Sequence, residues 1–413
     1  MRPLRTRGAL AAIAAAAGGI AAALALLPPS GPAPTDAALA ADSASAEAAS
    51  GPWLTGYWHN FDNGSTTMPL SDVPAEYNMV AVAFADNLAG TPGGITFNLA
   101  SNELGGYTEQ QFKDDIAAMQ AQGRKVVISV GGEKGHVDVT NPEQAAGFAQ
   151  SAHALMQEYG FDGVDIDLEH GMDARYMEDA LRDLHSRAGG DLIVTMAPQT
   201  IDFQAPSYAY YQLAESIPDI LTIVNMQYYN SGAMMGCDQQ VYSQGTVDFL
   251  TAQACIQLEL GLRPDQVGLG LPATPQAAGG GHQPTSNVIA ALDCLEEGTS
   301  CGSFTPSQPY GPIGGVMTWS INWDATNDYR FAKDISARLG GGTGTGPTPS
   351  PDPSPSPTGS AEPCGEAAWD SGTVYTGGDR VSYEGTVYEA RHWTRGDTPQ
   401  DSQWGPWKAV GTC

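Results

Sequence analysis

Residues 161–169 read Phe161-Asp162-Gly163-Val164-Asp165-Ile166-Asp167-Leu168-Glu169. Asp165, Asp167 and Glu169 alternate with Val164, Ile166 and Leu168. In an extended strand, side chains i, i+2 and i+4 share one face. Three carboxyls are therefore expected on one side and three aliphatic side chains on the other. Ionised carboxylates at that spacing repel one another, so at least one is expected to keep a proton near neutral pH, as a general acid must. Acidic residues that merely met loop amides would each need a separate partner once buried. A calcium loop fits poorly, because aliphatic residues stand where such a loop has glycine and polar ligands.

Outward from this stretch, short apolar or β-branched runs recur: Trp53–Trp58, Met79–Phe84, Lys125–Val130, Gly163–Leu168, Leu192–Ala197, Ile220–Gln227, Val267–Pro272 and Gly315–Ser320. Near-continuous apolar runs suit strands covered on both faces. Helical patterns lie between them. Thr108-Glu109-Gln110-Gln111 fits a capping box ahead of Phe112, Ile116 and Met119. Asn141-Pro142 offers an N-cap followed by proline at the first helical position. Further helices are expected over Met172–Arg187, Val247–Leu262, Ser286–Glu297 and Ala325–Leu339. Eight strands alternating with helices predict an α/β fold, a (β/α)8 TIM barrel over residues 51–339. An open doubly wound sheet is the alternative, since strand count alone does not show closure.

The 413 residues include 46 acidic and 18 basic ones, a net charge of −28. That balance excludes nucleic acid and anionic membrane surfaces as partners and suits neutral ligands. Arg2, Arg5 and Arg7 precede a nearly all-apolar stretch, Gly8–Leu27, with small residues at Ala38-Leu39-Ala40 and Ala44-Ser45-Ala46. A signal peptide and lead-in over residues 1–46 is favoured over a membrane anchor, and with it a secreted, extracellular protein free of the membrane once the signal is removed. Six cysteines in an exported chain suggest disulfides. The local pairing is Cys237 with Cys255, Cys294 with Cys301, and Cys364 with Cys413, one of fifteen connectivities; buried free thiols are the alternative. No CxxC or HxxxH spacing appears, so no metal or cofactor is expected. Residues 340–363, rich in Gly, Thr, Pro and Ser, read as a linker. Residues 364–413 form a small unit rich in Trp, Tyr, Gly and Thr, which a Cys364–Cys413 staple would help to hold.

The run DGVDIDLE at 162–169 resembles the DxxDxDxE signature of glycoside hydrolase family 18, the chitinases. Ser129-Val130-Gly131-Gly132 is similar to the family's SxGG, Met226-Gln227-Tyr228-Tyr229-Asn230 to its sixth-strand segment, and Trp319 to its eighth-strand tryptophan. The resemblance covers about Gly51 to Leu339. It implies a retaining, substrate-assisted glycosidase without an enzyme nucleophile. Glu169 would be the acid and then the base. Asp167 would hold the substrate's acetamido nitrogen, and Asp165 would share a proton or hydrogen bond with Asp167. Tyr229 would bind the acetamido oxygen. Asp162, off the alternation by one, reads as structural support. Many members carry Met-x-Tyr-Asp on the sixth strand, where this chain has Gln227-Tyr228-Tyr229-Asn230. Asn230 hydrogen-bonds but does not ionise. Gln227, Asn230, Met196, Tyr57, Phe84 and Trp319 are expected at the substrate, and Trp58 and Tyr228 are further groove aromatics. His59, His136, His170 and His282 show no paired spacing and read as incidental. No strand-rich insertion separates the seventh and eighth runs, which favours a compact barrel with an open groove and endo-cleavage.

The last segment resembles the family 5/12 carbohydrate-binding modules, small all-β units. It carries Trp369, Gly385-Thr386-Val387-Tyr388, His392-Trp393 and Trp404-Gly405-Pro406-Trp407. Trp393 is the expected surface contact, while Trp369, Trp404 and Trp407 could equally be core. The resemblance as a whole implies a secreted, monomeric chitinase acting on chitin and N-acetylglucosamine oligomers. An endo-β-N-acetylglucosaminidase acting on glycans is the nearest alternative. A silent chitin-binding lectin is the other, and the presence of Glu169 counts against it.

Overall fold

The computed structural model describes residues 51–340 and, beyond them, 367–370, 373–375, 378–383, 385–391, 394–395, 398–399 and 407–412. The chain divides into two compact units, Met1–Thr343 and Gly344–Cys413.

In the first unit eight parallel strands close on themselves. They are β1 (Trp53–His59), β2 (Met79–Asn87), β3 (Lys125–Gly131), β4 (Gly163–Asp167), β5 (Ile193–Met196), β6 (Ile223–Gln227), β7 (Val267–Pro272) and β8 (Gly315–Trp319). Each pairs with its neighbour in sequence, and β8 returns to β1, so the sheet is a barrel and not an open one. The helices are α1 (Glu109–Ala121), α2 (Pro142–Tyr159), α3 (Ala174–Ala188), α4 (Ala209–Ser216), α5 (Val247–Leu260), α6 (Thr285–Glu297), α7 (Ile321–Ala325) and α8 (Arg330–Arg338).

Local chemistry sets these boundaries. Thr108 and Gln111 form the expected capping box at α1, and Asn141 caps α2 through the amides of Glu143 and Gln144. Gly160 and Gly261 end α2 and α5 in the left-handed conformation, which glycine adopts without steric cost. Two differences from the sequence reading concern helices. The helix expected over 325–339 begins only at Arg330, as α8, and the separate α7 precedes it, because Asp328 and Tyr329 take left-handed backbone angles between them. The buried Asp324 carboxylate accepts the amides of Phe331 and Ala332 at the start of α8 and the Tyr77 hydroxyl. The second difference is α4, a short helix absent from the reading.

Alternation divides the strand side chains between two layers. Val80, Val126, Ile128, Val164, Ile166, Val194, Val224, Leu269 and Val316 face the helices in the main core. Tyr57, Ala81, Ala83, Val127, Ala197 and Met317 pack inside the barrel. The register sets Ser129, Asp165 and Thr195 abreast on β3, β4 and β5. At the opposite end Asp162 ties β4 to β3. Its carboxylate pairs with Lys125 at 3.0 Å and accepts the Val126 amide at 2.8 Å.

Cys237 bonds to Cys255 and Cys294 to Cys301, as the local pairing predicted. Cys364 and Cys413 lie outside the described residues. Among these residues no helix is long and apolar enough to cross a membrane.

In the second unit, Arg380–Tyr383, Thr386–Ala390 and Trp407–Thr412 form an antiparallel sheet, and Val374–Tyr375 pairs with Thr394–Arg395. Trp407 is fully buried with Tyr375, Val381 and Ala390 around it, so it is core. Trp369 is half-buried against Tyr383. Trp393 and Trp404 lie outside the described residues.

Gly131 is a point of close backbone approach beside the site. Its φ is +122°, and an added Cβ would stand 2.1 Å from the Asp167 carbonyl oxygen. Gly131→Ala is expected to destabilise the barrel by about 1–3 kcal/mol. An unchanged denaturation midpoint in urea would refute this account of the β3–β4 contact.

Candidate active site

Asp165 and Asp167 face the barrel axis and are 1% and 6% exposed. Glu169 lies two residues past the end of β4, half-buried at the mouth. None of the ion pairs among the described residues includes any of the three. Hydroxyls take the place of cations. Tyr57 and Ser129 donate to Asp165 Oδ2 at 2.6 and 2.7 Å, and Thr195 donates to Oδ1 at 2.5 Å. Burial raises the Asp165 carboxyl from its ordinary value, and the three donors offset that shift only in part.

Asp167 has one protein donor, Gln227 Nε2 at 2.8 Å. Burial pushes its carboxyl well above the usual carboxylate range, and the charges of Asp165 and Glu169 push the same way. Of the three carboxyls, Asp167 is the one that burial and both neighbouring charges push in the same direction. Asp165 stands two residues before Asp167 on β4, and its charge is one cause of the Asp167 shift. Asp165 is held from behind by its three hydroxyl donors.

Burial also raises Glu169, His170 opposes that shift, Glu133 adds to it, and a hydrogen bond from the Gln199 side chain opposes it. Gln199 follows β5, and its backbone amide donates to Asp202 Oδ2 at 2.9 Å. Asp202, raised to about 6 chiefly by burial, also feels the Glu169 charge. The end of β4 is held by Tyr210 of α4, whose hydroxyl donates to the carbonyls of Ile166 and Leu168.

Tyr229 is 8% exposed and close enough to the three carboxyls for their charges to raise its phenol, after burial itself. Gln227 thus bonds Asp167, and Tyr229 borders the carboxyls. Asn230 is exposed: its backbone is left-handed at φ 51°, and its side-chain oxygen accepts the Gly280 amide at 3.1 Å.

The aromatics sort by strand parity. Trp319 is half-buried at the mouth, stacked on Phe84 at 5.8 Å and edge-on to Tyr57 at 5.5 Å. Phe84 is half-buried and rests against Gly132. Tyr57 is 2% exposed, and its hydroxyl is engaged by Asp165. Its place is behind the carboxyls, not along an open groove. Met196 is a correction: it follows the inward Thr195, points outward and is fully buried in the helix-facing core. Trp58 and Tyr228 are corrected for the same reason. Trp58 donates to the Met68 carbonyl, and Tyr228 accepts from Gln257 in that outer layer.

Sequence reasoning missed Thr195, Gln199, Asp202 and His59. Strict alternation from Met196 would have found Thr195. His59 is fully buried, with its ring 4.6 Å from Phe61 and 4.7 Å from Trp319. Burial pulls it down to about 3, so it is a neutral part of the aromatic floor. His136 is exposed, with Nε2 3.3 Å from Asp138, and His170 is exposed beside Glu169.

A half-exposed acid beside a deeply buried neutral one, over an aromatic floor, suits proton transfer to a neutral ligand that brings its own polar groups. Comparison with known proteins agrees. The pattern of the glycosyl hydrolases family 18 matches residues 54–334, and that of carbohydrate-binding module family 5/12 matches residues 368–408. Chitinase D of Niallia circulans is 36% identical over 319 residues, 68% of this chain and 60% of that protein. Exochitinase 1 of Streptomyces olivaceoviridis is 33% identical over 334 residues, 70% and 56% of the two chains. The match thus spans about 60% of the length of the first curated relatives. A crystal structure from Streptomyces coelicolor aligns with 59% identity and TM-score 0.69, covering 70% of this chain and 98% of that one. A family GH18 chitinase from Chromobacterium violaceum aligns with 36% identity and TM-score 0.65, covering 70% and 83%.

The proton on Asp167 has a consequence for stability. Below the ordinary carboxylate range both folded and unfolded chains hold it, and the residue contributes nothing. As pH rises the unfolded chain releases it first, so stability falls until the raised native value is passed. Asp167→Asn removes that loss. The variant is expected to melt above the parent at pH 7 and to lose that advantage near pH 4, about the ordinary aspartate value. An advantage equal at both pH values, or none, would place the proton elsewhere.

Proposed function

The chain belongs to the glycosyl hydrolases family 18, and we propose that it is a secreted chitinase that cleaves β-1,4 linkages between N-acetylglucosamine units with retention of configuration. The observation that carries this reading is the division between the carboxyls. Glu169 is accessible and raised, as an acid that must reach substrate should be. The Asp167 carboxyl is pushed well above the usual range by burial, which disfavours the ionised form a nucleophile needs. The nucleophile is then the substrate's own acetamido oxygen.

In this mechanism Glu169 gives its proton to the glycosidic oxygen as the C1–O bond breaks. The acetamido carbonyl oxygen bonds to C1 and forms an oxazolinium ion, and the leaving sugar departs as an alcohol. Asp167 accepts the amide N–H. The Asp165 carboxylate behind it supplies negative potential for the positive ring, and the Tyr229 hydroxyl meets the acetamido oxygen. The Glu169 carboxylate then takes a proton from water, whose oxygen attacks C1 from the face the leaving group vacated. The ring opens to the acetamide and Glu169 is again protonated. Trp319 and Phe84 offer an apolar floor to the sugar face.

The proposed organisation is a signal and lead-in at 1–46, the glycosidase at 51–339, a linker at 340–363 and the carbohydrate-binding module at 364–413. The module, with Trp393 as its proposed contact, would hold the barrel near an insoluble polymer and raise its effective concentration there.

Glu169→Gln is expected to lower kcat on chitin oligomers by about 10²–10⁴-fold while binding persists. Near-normal hydrolysis would overturn the assignment. NMR of the first product should show the β anomer, and an α anomer formed first would rule out the acetamido nucleophile. Removing residues 340–413 should spare soluble oligomers and slow attack on insoluble chitin. Equal losses on both would remove the module's proposed role.

A further inference from the structure

A hollow of about 470 Å³ opens on the face of the barrel that carries Glu169, between the loops that follow β1, β7 and β8. Gly64, Thr274, Gln276, His282, Trp323 and Asn327 are among its walls, and no Asp, Glu, Lys or Arg lines it. On a chain of net charge −28, an uncharged lining suits a neutral ligand. Trp323 is half-buried and offers an aromatic surface, and Gln276 and Asn327 are exposed amides. Burial lowers His282, so its imidazole is neutral, with one donor and one acceptor. Thr274 is 4% exposed, and its hydroxyl has no hydrogen-bond partner among the described residues. One aromatic surface among several uncharged donors and acceptors matches a pyranose, which pairs apolar C–H faces with hydroxyl and amide edges.

The hollow uses none of the site's residues, but the chain neighbours of two of its lining residues touch the site. Thr274 follows Ala273, whose amide donates to the Trp319 carbonyl at 2.9 Å. His282 follows Gly281, where an added Cβ would stand 2.6 Å from Tyr229 Cα. We propose that this hollow is a distal saccharide subsite, which takes one N-acetylhexosamine ring of a chitin chain whose reacting unit lies over Trp319. The proposal rests on the substrate reading above. A chain long enough to fill both positions gains the contact, and a short one does not.

The test is kcat/KM of the full chain on soluble N-acetylglucosamine trimer and hexamer, for the parent, Trp323→Ala and the doubly substituted Gln276→Ala/Asn327→Ala. Both variants should lose about three- to tenfold on the hexamer, through KM, and change less than about twofold on the trimer. The double variant alters only exposed side chains, so it decides the matter if Trp323→Ala melts early. Equal losses on both oligomers, or no loss on the hexamer in either variant, would overturn the subsite while leaving the chitinase reading intact. Failure of the parent to cleave either oligomer would overturn both.

Discussion

The mouth of this barrel depends on keeping two adjacent carboxyls, Asp165 and Asp167, out of water with no cation beside them. Burying a carboxylate without compensation costs several kcal/mol. The structure resolves that cost differently for each. Asp165 draws hydroxyls from β1, β3 and β5, which partly offset its burial. Asp167 has a single amide from β6 among the described residues, and its carboxyl is pushed well above the usual range, which favours the neutral form. Four strands are thereby committed in register. A slip of one residue on β5 would exchange Thr195 for Met196 or Val194 and leave Asp165 short of a donor. The close approach at Gly131 belongs to the same constraint, since it lets β3 lie near enough for Ser129 to reach across.

The fold was largely legible in the sequence, for a physical reason. Strands sheathed by helices outside and packed side chains inside read as apolar runs, and all eight were found within a few residues. The same property hid which side chains point inward. In Leu192–Ala197 nearly every residue is apolar or β-branched, so Thr195 did not stand out and Met196 was set at the substrate. Only at 164–169 do carboxyls mark the period. Aromatics misled in a similar way. Tyr57, Trp58 and Tyr228 look alike as candidate sugar platforms, yet parity puts two of them under the helices, and the third is held by its hydroxyl. The α7–α8 break was invisible because it is made by two non-glycine residues in left-handed conformation, fixed by the tertiary role of Asp324.

The proton is the instructive difference. Spacing alone says that at least one of three crowded carboxyls is expected to keep a proton, without saying which. Depth distinguishes them, because burial acts on each carboxyl separately while repulsion acts on all three. Asp167, on the strand, is the more deeply buried, and Glu169, past its end, is half in water. Glu169 is then poised less by its partners on β4 than by residues from other loops. Gln199 holds its charged form, Glu133 opposes that form, and Asp202 senses the same charge while holding the Gln199 backbone.

That arrangement separates two demands a single carboxyl would meet poorly. An acid must exchange protons with solvent in every cycle, so it needs exposure. A group that steadies a developing cation must be held in a dry, low-dielectric place, where each charge counts for more. On one strand, successive inward positions differ in depth by about 6–7 Å, twice the rise per residue. The step from 165 to 167 to 169 therefore runs from a carboxyl held by three hydroxyls, through one with a single amide donor, to a group that reaches water. In the proposed reaction the middle carboxyl sits where the acetamido group would bind, and its response to that amide is set by the carboxyl beneath. The alternating motif is thus a gradient of burial along β4, and the chemistry follows from depth as much as from residue type.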